Sequence, residues 1–298
     1  LEKKYIAFDV GGTKVKHSVM FEDGTIIEKG QYNTLTSDLD QFLSEMVFTV
    51  EEYKYSHQVS GIGISMPGFI DITTGYSETA GNVAALKGKN IKSLLEERVD
   101  IPVEVENDGN CVALAELLNG NAIDSKNFIC VTIGTGIGGG IVIDGKILHG
   151  HSFRGGEFGF MITERGNKGK EIWHHNGATS SLINDYKKLK GINIEENLEG
   201  HVIFEEAVHD GQVNHLIENW LNHVSSGIFN LAVTLNPEKI LIGGGVSAQN
   251  ELIERIEAKL EQLDFWKDFR VPITICKHRN DAGMLGAVKH FLNRHETS

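Results

Sequence analysis

Residues 5–30 read YIAFDVGGTKVKHSVMFEDGTIIEKG, and the rest of the chain is organised around this stretch. An apolar run (Ile6, Ala7, Phe8) leads into Asp9, then the turn Gly11-Gly12-Thr13-Lys14, then a second alternating run. Asp23-Gly24 is a two-residue hairpin signal, and Ile26-Ile27 opens a third strand. Two adjacent glycines let backbone N–H groups crowd around an anion, while Thr13 adds a hydroxyl and Lys14 a counter-charge. Asp9, at the strand end, is placed to hold a hydrated cation. The stretch predicts a phosphate-and-magnesium turn between antiparallel strands, although an ordinary glycine hairpin would give the same local pattern.

From Asn127 the pattern returns. Phe128 to Ile133 reads as a strand, Gly134 to Gly140 as a glycine turn, and Ile141 to Ile143 as a strand. Asp144-Gly145 forms a second hairpin signal, and Lys146 to Leu148 starts a third strand. Gly12 to Asp23 is 11 positions and Gly134 to Asp144 is 10, so the unit is duplicated, once per domain. Two such lobes would set two phosphate loops facing each other across a cleft. Gly134-x-Gly136-x-x-Gly139 also fits the dinucleotide fingerprint, with Glu157 about 20 residues on. That fingerprint needs a helix after its glycines, and Ile141 to Gly145 is strand and hairpin, so it is rejected.

The remaining elements fit the same plan. Ser37 is placed to cap a helix carrying Leu39, Phe42, Leu43, Met46, Val47 and Val50 at helical spacing. Val59 to Ser65 is a buried strand, residues 69–88 are loop-like, and Asn90 to Val99 is a short helix. Ile101 to Val105 is a strand ending in Glu106-Asn107-Asp108, followed by a helix over Asn110 to Leu118. The second half is mostly helical (Ala178 to Lys190, His201 to His209, Gln212 to Asn236). A buried strand at Ile240 to Ile242 then runs into Gly243-Gly244-Gly245. A helix (Asn250 to Leu263), a strand (Val271 to Cys276) and a last helix (Asp281 to Arg294) close the chain. The boundary is expected near 120–127, giving domains 1–122 and 123–298, with the last helix (about 281–294) packing back on the first lobe.

Composition narrows the class. The 298 residues are 40% hydrophobic and 23% charged, ordinary for a soluble enzyme with two cores. A net charge of −13 argues against nucleic acid, yet leaves a nucleotide open because a glycine-rich turn acts at short range. Cys111, Cys130 and Cys276 form no CxxC pair and read as buried free thiols, expected in a reducing cytoplasm. No apolar run approaches 18 residues, so no membrane span is expected. Trp173, Trp220 and Trp266 read as packing residues, not a base-stacking platform.

Asp108 is the candidate base: it ends a strand and opens a helix, where a carboxylate can take the proton of an attacking hydroxyl. Asn107 offers a donor and an acceptor to a sugar hydroxyl; helix capping is the competing reading for this pair. Glu157, between glycines in Arg154-Gly155-Gly156-Glu157-Phe158-Gly159-Phe160, can accept from a polyol. Gly243 to Gly245 would let a nucleoside lie against backbone. His149 and His151, alternating along a strand, and the pair His174-His175 have no cysteine nearby, which argues against structural zinc.

Taken together, Asp9-x-Gly-Gly-Thr-Lys14, Glu106-Asn-Asp108, Ile133-Gly-Thr-Gly-Ile-Gly-Gly-Gly140, Gly156-Glu-Phe-Gly159, Ile242-Gly-Gly-Gly-Val246 and Asp281-Ala-Gly resemble the ROK sugar kinase family, in the family's order and over nearly the whole chain. The resemblance implies an α/β, two-lobed actin/hexokinase-like (ribonuclease H-like) fold, with a duplicated mixed β-sheet core flanked by helices. It implies ATP-dependent phosphorylation of a hexose, usually at O6, with Mg²⁺, in a cytoplasmic homodimer. It implies Asp108 as base, with Asn107, Glu157 and Asn82 on the sugar. It places Asp9 near the metal, Gly11, Gly12, Thr13, Lys14, Gly134, Thr135 and Gly136 on the phosphates, and Gly244 and Gly245 near the adenosine.

Two departures bear on specificity. The family commonly has His where Phe160 stands, then a zinc-binding cysteine cluster and a glutamate. Residues 166–177 (GNKGKEIWHHNG) hold no cysteine, with His175 nearest the glutamate position and Glu171 the nearest carboxylate. Zinc is therefore expected to be absent, and the demand for a free anomeric hydroxyl relaxed. The zinc-less signature resembles the β-glucoside kinases, which phosphorylate the 6-hydroxyl of the non-reducing glucose in cellobiose and related sugars. N-acetylmannosamine kinase and glucokinase are the alternatives, and a catalytically silent sugar sensor the other class. Repressors of this family carry a winged helix ahead of the kinase-like part, and with about four residues before its first strand this chain is expected to lack it.

Overall fold

Strand β1 (Lys4–Val10) is buried on both faces, and its alternation sorts two cores. Ile6, Phe8 and Val10 face Phe42, Met46 and Leu95, while Tyr5 and Ala7 face Ala115, Leu285 and Val288. Asp9 continues the second of these faces. The structure is a computed structural model and describes residues 2–295. Its chain divides into two compact units: residues up to 125 with 145–155 and those from 277 on, and residues 126–144 with 156–276.

In the first unit, β1 lies between β2 (Lys14–Phe21) and β4 (Val59–Met66), with β3 (Ile26–Asn33) and β5 (Val103–Asn107) at the edges, in the order β3-β2-β1-β4-β5. The hairpin pairs are antiparallel, whereas β1, β4 and β5 run parallel. Helices α1 (Leu39–Ser56) and α2 (Ile91–Val99) supply one covering layer, and α3 (Asp108–Asn119) with the C-terminal helix (Ala282–His295) the other. The pattern Gly61-Ile62-Gly63-Ile64 has a packing cause. Ile62 and Ile64 join the α1/α2 core, while a Cβ at Gly61 or Gly63 would collide with Phe291 or the backbone of Ala287 in the C-terminal helix.

The second unit repeats this order in β7 (Ile137–Ile143), β6 (Phe128–Ile133), β8 (Lys239–Gly243) and β9 (Ile273–Ile275). Its core lies among these strands and helices α4 (Thr179–Lys190), α5 (Gly200–Ala207), α6 (Gly211–Leu235) and α7 (Leu252–Leu260). Asp210 caps the start of α6, and Asn236, in the left-handed region, ends it ahead of Pro237. The duplicated unit expected from spacing, and the mixed sheet with flanking helices that the resemblance implies, are what the chain forms, an actin/hexokinase-like α/β fold. Trp173, Trp220 and Trp266 are buried, and so are the three cysteines. Among the described residues no helix is long and apolar enough to cross a membrane.

Several local expectations change. Asp38, not Ser37, caps α1, its carboxylate accepting from the Gln41 N–H at 3.0 Å. Asp144 and Gly145 both have positive φ and form the expected two-residue turn, whereas the first hairpin spans Glu22 to Thr25 with only Gly24 left-handed. The loop over 69–88 contains two-residue strands at Ile70–Asp71 and Tyr76–Ser77, which pair with each other, and Tyr76–Ser77 also pairs with Lys89–Asn90. The strand after Gly145 is only Lys146–Ile147, so His149 and His151 lie beyond it and do not alternate along a strand.

Candidate active site

The parallel strands of the first unit end in register, Asp9 beside Ser65 and Ser65 beside Glu106. The candidate residues Asp9, Asn107 and Asp108 therefore share one end of the sheet, the carboxyl ends where α/β folds bind ligands. Ser65 Oγ donates to Asp9 Oδ1 at 2.9 Å, and Lys16 Nζ stands 3.6 Å from Oδ2. The nearby cation is thus Lys16, while Lys14 contributes its carbonyl to the Gly11 N–H at 3.0 Å and is exposed. Burial pushes the Asp9 carboxyl above its ordinary value, against the pull of Lys16 and Ser65.

The turn over Gly11 to Lys14 is held from just beyond β3, where Thr34 Oγ1 donates to the Gly11 carbonyl at 2.7 Å and the Thr34 N–H to the Thr13 carbonyl at 2.9 Å. Asn82 lies against it: a Cβ on Gly12 would stand 3.1 Å from the Asn82 Cβ. The small residue at 12 lets loop and turn meet.

Asn107 does cap α3. Its Oδ1 accepts from the Asn110 N–H at 3.1 Å, and its Nδ2 donates to the Gly68 carbonyl at 3.0 Å. Each group keeps one further hydrogen-bonding position. Asp108, the first helical residue, is exposed, with Oδ1 accepting from the Gly109 N–H at 2.9 Å. Beneath them Glu106 is buried, and both its oxygens are used. Oε1 accepts from the Asn107 N–H (2.8 Å) and Asn110 Nδ2 (3.0 Å); Oε2 pairs with His149 Nε2 (2.7 Å) and His290 Nδ1 (3.2 Å). Burial would raise this carboxyl, but the hydrogen bonds from the two histidines outweigh it and hold it well below the usual carboxylate range.

In the second unit, Gly134 to Gly136 turns between β6 and β7, with the Gly134 N–H on the Gly136 carbonyl at 2.9 Å. Helix α4 reads its outer side: the Thr179 N–H donates to the Gly134 carbonyl (2.9 Å) and Ser180 Oγ to that of Thr135 (2.6 Å). Gly244, at φ 85°, has the Ile133 backbone where a Cβ would go, and Ser247 Oγ ties its carbonyl at 2.7 Å. Gly245 follows at the same strand end. Glu157 precedes a one-turn 3-10 helix over Phe158–Phe160, which leaves Phe160 57% exposed.

His174, from a one-turn helix over Trp173–Asn176, joins these pieces. Its Nδ1 accepts from the Ile137 N–H at 2.8 Å, and Phe160 meets its ring edge-on, centroids 5.1 Å apart. A Cβ on Gly159 would collide with the ring, and one on Gly136 would stand 3.0 Å from it. Burial, then the neighbouring His175, lowers the His174 pKa from 6.5. Because the folded value is the lower one, the stability this contact adds is present above pH 6.5 and is lost as pH falls through the folded value. His174→Asn, which keeps an acceptor but does not titrate, should therefore unfold with less acid sensitivity just below pH 6.5. The readout is the difference between the two thermal unfolding curves across pH, since His17, His223 and His278 are shifted in the same direction. Identical pH dependence would remove His174 from this role.

Ser65, Lys16, the Glu106–His149–His290 cluster and His174 were not singled out as partners by sequence reasoning. Only the parallel pairing of β1, β4 and β5 puts Ser65 beside Asp9, and residues 43 and 184 positions from Glu106 carry no local signal. Among the described residues no three His, Cys, Asp or Glu side chains converge as a metal cage.

The sequence profile of the ROK family matches residues 5–294. A β-glucoside kinase of Listeria monocytogenes is 36% identical over 300 residues, covering 98% of this chain and 100% of the relative. A solved Listeria monocytogenes structure, provisionally described as an N-acetylmannosamine kinase, superposes with a TM-score of 0.90 at 36% identity over 98% of this chain and 100% of the other. A ROK family protein of Streptococcus pneumoniae solved in complex with sucrose gives a TM-score of 0.88 at 27% identity, over 98% and 99% of the two chains. With its profile matched almost end to end and these relatives covered in full length, the chain belongs to the ROK family.

Proposed function

We propose that this chain is an ATP-dependent sugar kinase that transfers the γ-phosphate to the 6-hydroxyl of a hexose, most specifically the non-reducing glucose of a β-glucoside such as cellobiose. The observation that carries the reading is Asp108, exposed at the start of α3 on the carboxyl ends of the parallel strands, in a chain 36% identical to a β-glucoside kinase. In this reading Asp108 draws the proton from O6 as it attacks phosphorus. Asn107 uses its remaining positions to hold the sugar, with Asn82 and Glu157. The turns at Gly11 to Lys14 and Gly134 to Gly136 hold the phosphates, and Gly244 and Gly245 let the adenosine approach backbone. The carboxylate of Asp9 suits Mg²⁺, because one oxygen is engaged by Ser65 while the other stands 3.6 Å from Lys16 Nζ, beyond hydrogen-bond distance, and Mg²⁺ keeps several water and phosphate ligands. When bound, the ion would neutralise phosphate charge. The same reading takes the active form as a cytoplasmic homodimer, the family expectation.

β-Glucoside preference is supported by Phe160 and by residues 166–177, which lack cysteine and leave Phe160 presented on His174. An exposed ring of this kind can stack on a sugar or aglycone. The N-acetylmannosamine kinase description of one relative favours the second reading. A coupled ADP-release assay across glucose, cellobiose, gentiobiose, N-acetylmannosamine and N-acetylglucosamine separates them. Cellobiose or gentiobiose should have the highest kcat/KM. In Phe160→Ala, KM for that sugar should rise by roughly three- to tenfold, the loss of one stacking contact, with KM for ATP unchanged. N-acetylmannosamine as the best substrate would overturn the β-glucoside reading and keep the kinase. Sugar binding without turnover would leave a sensor.

A further inference from the structure

The first unit holds a cavity of about 610 Å³ whose lining includes none of the candidate site residues Asp9, Asn82, Asn107 and Asp108. Its lining includes Lys146, His149, Lys289, His290, Asn293 and Arg294, and among the described residues no carboxylate lines it. In a chain of net charge −13 this is a local reversal of sign. Arg294 leans on Glu104 at 3.7 Å, but Lys146 and Lys289 form no ion pair among the described residues. Leaving two ammonium groups without a carboxylate beside two histidines raises the local potential, which an anion would lower.

The second observation is His290. It is 4% exposed, and its Nε2 has no hydrogen-bond partner although its Nδ1 is used by Glu106. A buried ring nitrogen without a partner is unfavourable unless a ligand or water meets it. With Nδ1 engaged by Glu106, Nε2 is the ring position left for a ligand. The volume exceeds that of phosphate alone, and the wall formed by Leu114 and Ile147, with the Asn293 amide, suits a hydroxylated carbon skeleton.

From these observations we infer that this cavity is a binding site for a phosphate monoester of sugar size, held by Lys146, Lys289 and Arg294 with the buried His290 Nε2 as its further hydrogen-bonding partner. The site is built from first-unit residues alone and stands whether or not the kinase reading holds. It connects physically to Asn107, the residue before the candidate base, because the Glu106 carboxylate that His290 and His149 hold also takes the Asn107 N–H.

Isothermal titration calorimetry on the full chain tests this with glucose 6-phosphate and with inorganic phosphate as separate probes. A Lys146→Gln/Lys289→Gln variant should bind glucose 6-phosphate at least tenfold more weakly than wild type. A Lys188→Gln/Lys267→Gln variant, which makes the same charge change at exposed positions elsewhere, should keep wild-type affinity. Stronger binding of glucose 6-phosphate than of inorganic phosphate supports the monoester; equal binding, lost for both in the first variant, overturns the monoester and leaves a free-phosphate site. Wild-type affinity in the Lys146/Lys289 variant, equal weakening in both variants, or no binding of either probe to wild type overturns the inference.

Discussion

Asp108→Asn should lower kcat by about 10²- to 10⁴-fold, the range for removing a positioned general base, with thermal stability close to wild type. The two effects separate for a structural reason. Asp108 is an exposed first-turn residue, and an asparagine there keeps an oxygen for the Gly109 N–H that Oδ1 now accepts at 2.9 Å. What it cannot do is take a proton from a hydroxyl. Sugar affinity, measured calorimetrically without nucleotide, should change little, because a neutral amide still offers an acceptor and adds a donor. A variant that turns over within a few-fold of wild type would remove Asp108 from the role of base, and one that fails to fold would place it in the architecture.

Glu106→Leu should destabilise the first unit by about 3–5 kcal/mol, the range for removing one partner from a buried charged cluster. Four donors lose their acceptor at once: the Asn107 N–H, Asn110 Nδ2, His149 Nε2 and His290 Nδ1. Two of these, the Asn107 N–H and Asn110 Nδ2, sit within the stretch that presents Asp108, so kcat should fall as well. Glu106→Gln keeps an oxygen for Asn107 and Asn110 and should lose less. Its pH dependence discriminates further. The folded carboxyl is held below its ordinary value of 4.5, so its stabilisation is present above that pH and is lost as pH falls towards the folded value. Wild type should therefore lose stability below about pH 4.5 more steeply than Glu106→Gln in chemical denaturation, where pH 4.5 marks the ordinary carboxyl value. Parallel curves, or a Leu variant as stable as wild type, would show that the cluster does not anchor this strand end.

What the sequence by itself determined about this protein is the set of features with local causes. Apolar alternation, glycine turns and Asp-Gly pairs repeat at nearly equal spacing in residues 5–30 and from 127 on, enough to read two copies of one sheet. The motif order pointed to the family. The absence of cysteine in residues 166–177 raised the question of specificity. Asn107 shows where such reading stops: cap and sugar ligand call for the same side chain, and only the structure shows that the cap takes one bond on Oδ1, Gly68 one on Nδ2, and that each group keeps one more. Tertiary structure decided the rest, because those contacts join residues far apart in sequence. Lys16 in place of Lys14 is the neighbour of Asp9 because β1 and β2 pair Asp9 with Lys16 across the hairpin. Ser65 reaches Asp9 through a parallel pairing that spacing does not specify. His149 and His290 converge on Glu106 from a turn and from the last helix, and that convergence sets both the electrostatics beneath Asn107 and the unpartnered nitrogen at the cationic cavity. Hydrogen bonding and desolvation act through space, so they become legible only once the chain has been folded.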